Sequence, residues 1–216
     1  KFSKYFDHTN LKADASLEDI EKLCEDAKKY VFMSVCINPF YIEKAKEFLK
    51  GSDVKVCTVI GFPLGQMTKE MKAEEASNAV KHGAEEVDMV INVAKAKEND
   101  FTYIEDEIRT IKQSIGSTLL KVILENCYLS KEQIKGSSLA AKRAGADYVK
   151  TSTGFGKGGA KPEDVKIMRE AVGSEMGVKA AGGIHTLEEA KVMIEAGASR
   201  IGCSASVSII EELNSL

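Results

Sequence analysis

Five charged residues stand where a β-strand should carry apolar ones. Asp88 lies in Val87-Asp88-Met89-Val90, Lys121 and Glu125 in Leu120-Lys121-Val122-Ile123-Leu124-Glu125, Lys150 in Tyr148-Val149-Lys150-Thr151, and Lys179 in Gly177-Val178-Lys179-Ala180. Side chains alternate across a strand, so in each segment the apolar neighbours can face a covering helix only if the charged residue faces the opposite way. Lysine and aspartate are almost never buried without partners. One such lysine reads equally well as a frayed strand end or half of a structural ion pair. Three lysines and two carboxylates on consecutive strands, all in the inward phase, read as a reaction centre.

Converging cations have a specific chemical use. A free lysine amine, with a reference pKa of about 10.4, is protonated at neutral pH and cannot attack a carbonyl. A second cation beside it, together with burial, disfavours its charged form. Lys150 and Lys179 fall on neighbouring strands, so one can act as nucleophile while the other keeps it neutral. Asp88 and Glu125 can then balance charge or move protons. The chemistry is Schiff-base formation with a carbonyl substrate.

Three glycine-rich segments follow the last strands. They are Thr151-Ser152-Thr153-Gly154-Phe155-Gly156-Lys157-Gly158-Gly159, Ala181-Gly182-Gly183-Ile184 and Gly202-Cys203-Ser204-Ala205-Ser206. Glycines let backbone N–H groups approach an oxyanion, and Ser or Thr hydroxyls add donors. Each loop alone reads equally as a tight turn. Together, on one side of the paired lysines, they point to a phosphate.

The elements that must hold these residues repeat along the chain. Predicted strands are Tyr5–Thr9, Met33–Asn38, Lys55–Gly61, Glu86–Asn92, Leu119–Asn126, Ala146–Thr151, Gly177–Ala181 and Ser199–Ser204, with helical stretches between them. Most carry Val, Ile and Cys on both faces, as strands covered by helices must. Ser130 to Gln133 and Thr186 to Glu189 read as capping boxes, and Pro162 fits a first helical position. Gly83, Gly145 and Gly197, each followed by alanine, read as helix ends that lead into a new strand. An open doubly wound sheet would offer a glycine fingerprint after its first strand; here Asp7-His8-Thr9 stands instead. The expected architecture is therefore α/β, a single (β/α)8 barrel over residues 1–216.

Composition narrows the function further. Hydrophobic residues are 44% and charged residues 29%, which suits a globular chain with a full core. At a net charge of -3, with no basic stripe, nucleic acid is not an expected partner. No apolar run approaches the roughly 18 residues of a membrane span, and no signal peptide is read at the start. Cys24, Cys36, Cys57, Cys127 and Cys203 lie far apart without a C-x-x-C pair, which predicts reduced thiols and a cytoplasmic protein. His8, His82 and His185 are too dispersed for a metal centre. His82, just before Gly83, suits a helix C-terminus.

On these residues alone several readings stay open. A Schiff-base aldolase of another kind would need different neighbours around one lysine. A metal-dependent sugar-phosphate epimerase would need inward histidines. A phosphate-binding barrel without catalysis would not need two adjacent lysines.

Taken together, Asp7-His8-Thr9, Val35-Cys36-Ile37-Asn38-Pro39, Val59-Ile60-Gly61-Phe62-Pro63-Leu64-Gly65, Glu86–Asn92, Lys121–Glu125, Val149-Lys150-Thr151-Ser152-Thr153-Gly154 and Val178-Lys179-Ala180-Ala181-Gly182-Gly183-Ile184 resemble the deoxyribose-phosphate aldolases. The resemblance runs over essentially the whole chain in the same order. It implies a class I aldolase that cleaves 2-deoxy-D-ribose 5-phosphate reversibly to acetaldehyde and D-glyceraldehyde 3-phosphate in deoxynucleoside catabolism, without cofactor or metal. By the same resemblance Lys150 forms the Schiff base, Lys179 perturbs its protonation and transfers protons, and Asp88 works in the proton relay. Lys121, Thr9 and Asp7 support them, while Gly154, Gly182, Gly183, Gly202 and Ser204 fall on phosphate-binding loops. A homo-oligomer, dimer or tetramer, is expected.

Three positions depart from the family pattern. His185 stands where many relatives carry arginine, and Lys161 where a helix-capping threonine is common. The last residues contain no tyrosine, which some relatives use in proton transfer. Cys36, near the end of the second strand, reads as a packed thiol, or else as one within reach of an aldehyde product.

Overall fold

A computed structural model describes residues 1–216. Eight parallel strands close into a barrel in chain order. They are β1 (Phe6–Asn10), β2 (Ser34–Ile37), β3 (Lys55–Ile60), β4 (Glu86–Val90), β5 (Leu119–Ile123), β6 (Tyr148–Lys150), β7 (Gly177–Ala181) and β8 (Arg200–Cys203), and β8 pairs back onto β1. Every predicted strand is present, and most are shorter than expected. β5 and β6 lose the most, three residues each; β5 stops at Ile123 because Glu125 takes left-handed backbone angles (φ 55°) and turns the chain out of the ladder.

Helices α1 (Leu17–Tyr30), α2 (Ile42–Phe48), α3 (Lys69–Lys81), α4 (Val93–Lys97), α5 (Phe101–Ile115), α6 (Lys131–Arg143), α7 (Pro162–Val172), α8 (Leu187–Glu195) and α9 (Ser206–Asn214) form the outer ring, two of them after β4. Their starts follow from local chemistry. Ser16 with Asp19, Ser130 with Gln133 and Thr186 with Glu189 make complete capping boxes, each satisfying two backbone donors. Pro162 opens α7, but Lys161 before it supplies no side-chain cap. At the ends of α3, α6 and α8, the glycines at 83, 145 and 197 take positive φ. The next residue's N–H then reaches back five positions, as from Ala84 to the Ala79 carbonyl, and the chain turns into the following strand. His82 closes α3, its Nδ1 2.7 Å from the Asn78 carbonyl.

The main apolar core lies between the strands and the ring of helices, a cluster of 49 buried residues that includes Val35, Val87, Val122, Val149, Val178 and Ile201. All but Val35 flank a charged strand position, so the alternation read from the sequence holds. Inside the barrel a much smaller apolar group, Leu11, Cys36, Cys57 and Val59, fills the side formed by β1 to β3. Much of the rest of the interior is charged. No helix is long and apolar enough to cross a membrane.

Candidate active site

Strand register brings the inward side chains into one layer. Asp88 pairs with Lys121 across β4 and β5, Lys150 with Lys179 across β6 and β7, and Lys179 with Arg200 across β7 and β8. Asp88 is the hub. Its Oδ2 accepts from the amines of Lys150 and Lys179, each at 2.8 Å. Its Oδ1 accepts from Lys121 at 2.9 Å and from the Cys57 thiol at 3.2 Å. Lys179 lies 2.6 Å from Asp7 Oδ2, and Lys121 lies 2.6 Å from Glu86. Arg200 closes the network, donating to Asp7 Oδ1 at 2.6 Å and to Glu86 at 3.0 Å.

All these groups are buried, so desolvation opposes every charge among them. The partners outweigh it. Burial is the largest influence on Asp88 and on Asp7, but Lys121, Lys150 and Lys179 around the first, and Lys179, Lys121 and Arg200 around the second, hold both carboxyls well below the usual carboxylate range. Burial likewise disfavours the Lys179 and Lys121 ammonium forms. Asp7 and Asp88 nevertheless keep Lys179 protonated above the usual lysine range, and Asp88, Cys57, Asp7 and Glu86 do the same for Lys121. Lys179 is therefore a fixed cation beside Lys150. Cys36, Cys57 and Asp88 place donor atoms within 4.8 Å of one another, but both Asp88 oxygens are already engaged by ammonium groups, a poor setting for a metal cation.

Above this layer a cleft of about 560 Å³ opens at the carboxyl ends of the strands. Lys150 is the one member of the ion cluster that lines it; Asp7, Asp88, Lys121 and Lys179 lie beneath. Thr9, Gly154, Gly182, Gly183, Gly202 and Ser204 line the same cleft, so all three glycine-rich segments reach it. Thr9 is held by donating to the Asp7 carbonyl at 2.8 Å. Gly182 has φ +85°, and a side chain there would press on Gly159 Cα, 3.1 Å from the added carbon. Helix α9 starts just past Ser204 without a side-chain cap, leaving its first N–H groups free toward an anion.

Gly202 serves more than the loop. A β-carbon there would stand 2.7 Å from Cε of Lys179. The bare backbone is what gives that lysine its room.

One expectation needs correction. Glu125 does not join the lysines: it lies beyond the end of β5, and its left-handed backbone swings its carboxylate toward the loop after β6. There it accepts from Thr153 N–H at 3.0 Å and from the Thr153 hydroxyl at 2.5 Å. It anchors the glycine-rich loop instead. Cys36 is the packed thiol, not one lining the cleft. It is fully buried beside its register partner Cys57, whose hydrogen bond, the largest influence, draws the Cys36 thiol below its usual range.

Two cluster members were missed by the sequence reading, Glu86 and Arg200. Both were legible: Glu86 is two residues before Asp88, and Arg200 two before Gly202, hence in the same inward phase. They sit at strand starts, where a charged residue reads as solvent-facing. His8, one residue out of phase with Asp7, packs on Phe32 and also borders the cleft, and burial depresses it to about 4. His185 lines the mouth from an exposed position, its N–H donating to Glu189 at 2.7 Å.

Comparison with known proteins agrees with this architecture. Residues 2–209 match the DeoC/LacD family aldolase profile. The chain is similar to a deoxyribose-phosphate aldolase of Aciduliprofundum boonei, 56% identical over 99% of this chain and 97% of that one. It is also similar to one of Lactococcus lactis subsp. cremoris, 55% identical over 100% and 98%. Among solved structures, a tetrameric deoxyribose phosphate aldolase from Aeropyrum pernix superposes with a TM-score of 0.88 at 34% identity, covering 99% of this chain and 91% of that one.

Proposed function

The chain belongs to the DeoC/LacD family of aldolases, and from that premise we propose that it cleaves 2-deoxy-D-ribose 5-phosphate reversibly to acetaldehyde and D-glyceraldehyde 3-phosphate through a Schiff base on Lys150. It is an aldehyde-lyase. The observation that carries the choice of Lys150 is its position: of the buried ionic layer, it alone meets the cleft.

The neutral Lys150 amine attacks the C1 aldehyde, and loss of water leaves an iminium. That iminium is the electron sink. Removal of the C3 hydroxyl proton, by Asp88 or a water it orients, breaks the C2–C3 bond and sends its electron pair toward nitrogen. Glyceraldehyde 3-phosphate departs, leaving the acetaldehyde enamine. Lys179, the ammonium that shares Asp88 with Lys150, supplies the proton that reaches C2; hydrolysis then frees the lysine. Lys121 and Asp7 hold Asp88 and Lys179 in place, and Thr9 faces the substrate. The amine is the only covalent catalyst the sequence needs, so the reaction calls for no cofactor.

The backbone at Gly154, Gly182, Gly183 and Gly202, with Ser204 and the free start of α9, would hold the phosphate. Residues 1–216 act as one catalytic barrel. A homo-oligomer fits the tetrameric relative. A cytoplasmic setting suits five unpaired cysteines.

The test is borohydride trapping with 2-deoxyribose 5-phosphate, followed by peptide mass mapping. A reduced adduct on Lys150, absent without substrate and in Lys150→Ala, is expected. Activity surviving in Lys150→Ala, with no adduct, would end the Schiff-base reading.

A further inference from the structure

We propose that Arg200 and Glu86, neither of which touches the cleft, are positioning residues that set the protonation of Lys150 by fixing the charge balance of the buried cluster. The proposal rests on Lys150 being the nucleophile.

The cluster holds four groups that can be cations, Lys121, Lys150, Lys179 and Arg200, and three carboxylates, Asp7, Glu86 and Asp88, all buried. Fully ionised, it carries one uncompensated positive charge in a water-poor interior, where such a charge is costly. Releasing one proton makes it neutral.

Contacts decide which group gives that proton up. Arg200 cannot, by its chemistry, and it has Asp7 at 2.6 Å and Glu86 at 3.0 Å. Lys121 faces three carboxylates, at 2.6, 2.9 and 3.5 Å. Lys179 faces two, at 2.6 and 2.8 Å. Lys150 faces one, and shares that oxygen with Lys179. It is the least compensated cation, and the one beside the cleft. The cluster is neutral when the nucleophile is a free amine.

Other titratable groups near this centre are the same in every variant and drop out of the comparison. They are the thiols of Cys36 on β2, Cys57 on β3 and Cys203 on β8, the Tyr148 phenol on β6, whose ring lies 5.3 Å from the Arg200 guanidinium, and, around the cleft, His8, Lys12, Asp19, Lys22, Asp26 and His185. Glu86→Gln removes an anion, so Lys150 sheds its proton more readily. Arg200→Met removes a cation while keeping an apolar stem, so Lys150 holds its proton. The double variant removes one of each and restores the balance.

The readout is the rate at which acetaldehyde is trapped on Lys150 by cyanoborohydride, measured across pH. We expect the acid limb to fall by about one pH unit in Glu86→Gln and to rise by about one in Arg200→Met. It should return close to the wild-type position in the double variant and stay there in Arg200→Lys. Singles that shift the same way, or not at all, overturn the proposal, as does a double variant that keeps either displacement. Should Arg200→Met not fold, Glu86→Gln alone decides: a limb that stays or rises overturns the idea. A wild-type enzyme with no Lys150 adduct at any pH instead sinks the nucleophile reading, and this proposal with it.

Discussion

Lys150 and Lys179 are register partners on β6 and β7, and both amines lie 2.8 Å from the same oxygen, Oδ2 of Asp88. The nucleophile and its neighbouring cation are therefore joined through one acceptor. A proton leaving one amine has a two-step path to the other without crossing solvent.

Replacing that acceptor should separate chemistry from folding. Asp88→Asn keeps the shape but removes the charge that offsets three lysines. We expect a loss of about 3–5 kcal/mol in urea unfolding, since a buried charge cluster is left without its hub. Single-turnover cleavage, measured where the variant is still folded, should fall by roughly 10³-fold or more, the scale of a lost proton-transfer group. A rate that merely tracks the folded fraction would reduce Asp88 to a structural role.

Acid stability should carry a histidine signature. His8 is depressed from 6.5 to about 4, first by burial and then by Lys22, with Asp26 4.0 Å away opposing. The unfolded chain takes up this proton near pH 6.5 while the native chain does not, so stability is lost as pH falls from 6.5 toward 4. The loss amounts to roughly 3 kcal/mol over that window. His8→Phe, packing on Phe32, should flatten the dependence of the urea midpoint between pH 6.5 and 4.5. An unchanged slope would assign the acid loss to the carboxylates instead.

Glu125 should matter for binding more than for bond breaking. Its carboxylate holds Thr153 by two hydrogen bonds and so fixes the loop that carries Gly154. Bonds of this charged kind are worth about 1.5–3 kcal/mol. Glu125→Ala should raise KM for the sugar phosphate about tenfold or more, while acetaldehyde trapping on Lys150 changes little. A matching fall in trapping would place Glu125 with the reacting groups after all.

Gly202→Ala probes a space rather than a contact. Gly202 does not use positive φ, so alanine suits its backbone, yet the new carbon would stand 2.7 Å from Lys179 Cε. The melting temperature should move by only a few degrees, while kcat falls at least about tenfold as Lys179 is pushed from Asp88. Full activity would show that Lys179 has room to spare.

Much of this was legible because strand alternation is strict. The same period that put Val87 and Met89 against helices put Asp88 inside, and likewise for Lys121, Lys150 and Lys179. Glu125 broke the rule because counting by twos assumes the strand continues. One residue with left-handed angles ended it, and nothing in Leu124-Glu125-Asn126 marks that turn. Glu86 and Arg200 obeyed the rule but open their strands, where charge usually means solvent. The loop glycines were readable as a group. That Gly202 makes room for Lys179 depends on a neighbouring strand and could not be seen along the chain.

Arg200 and Asp7, bonded at 2.6 Å, are separated by 193 positions in the chain, and β8 meets β1 only when the barrel closes. On the ribosome, then, Lys150 emerges well before the arginine that completes its electrostatic surroundings. A nascent or truncated chain would carry the reactive amine as an ordinary, solvated ammonium. If Arg200 sets the charge balance as proposed, the amine's full reactivity toward aldehydes arrives only with the last strand.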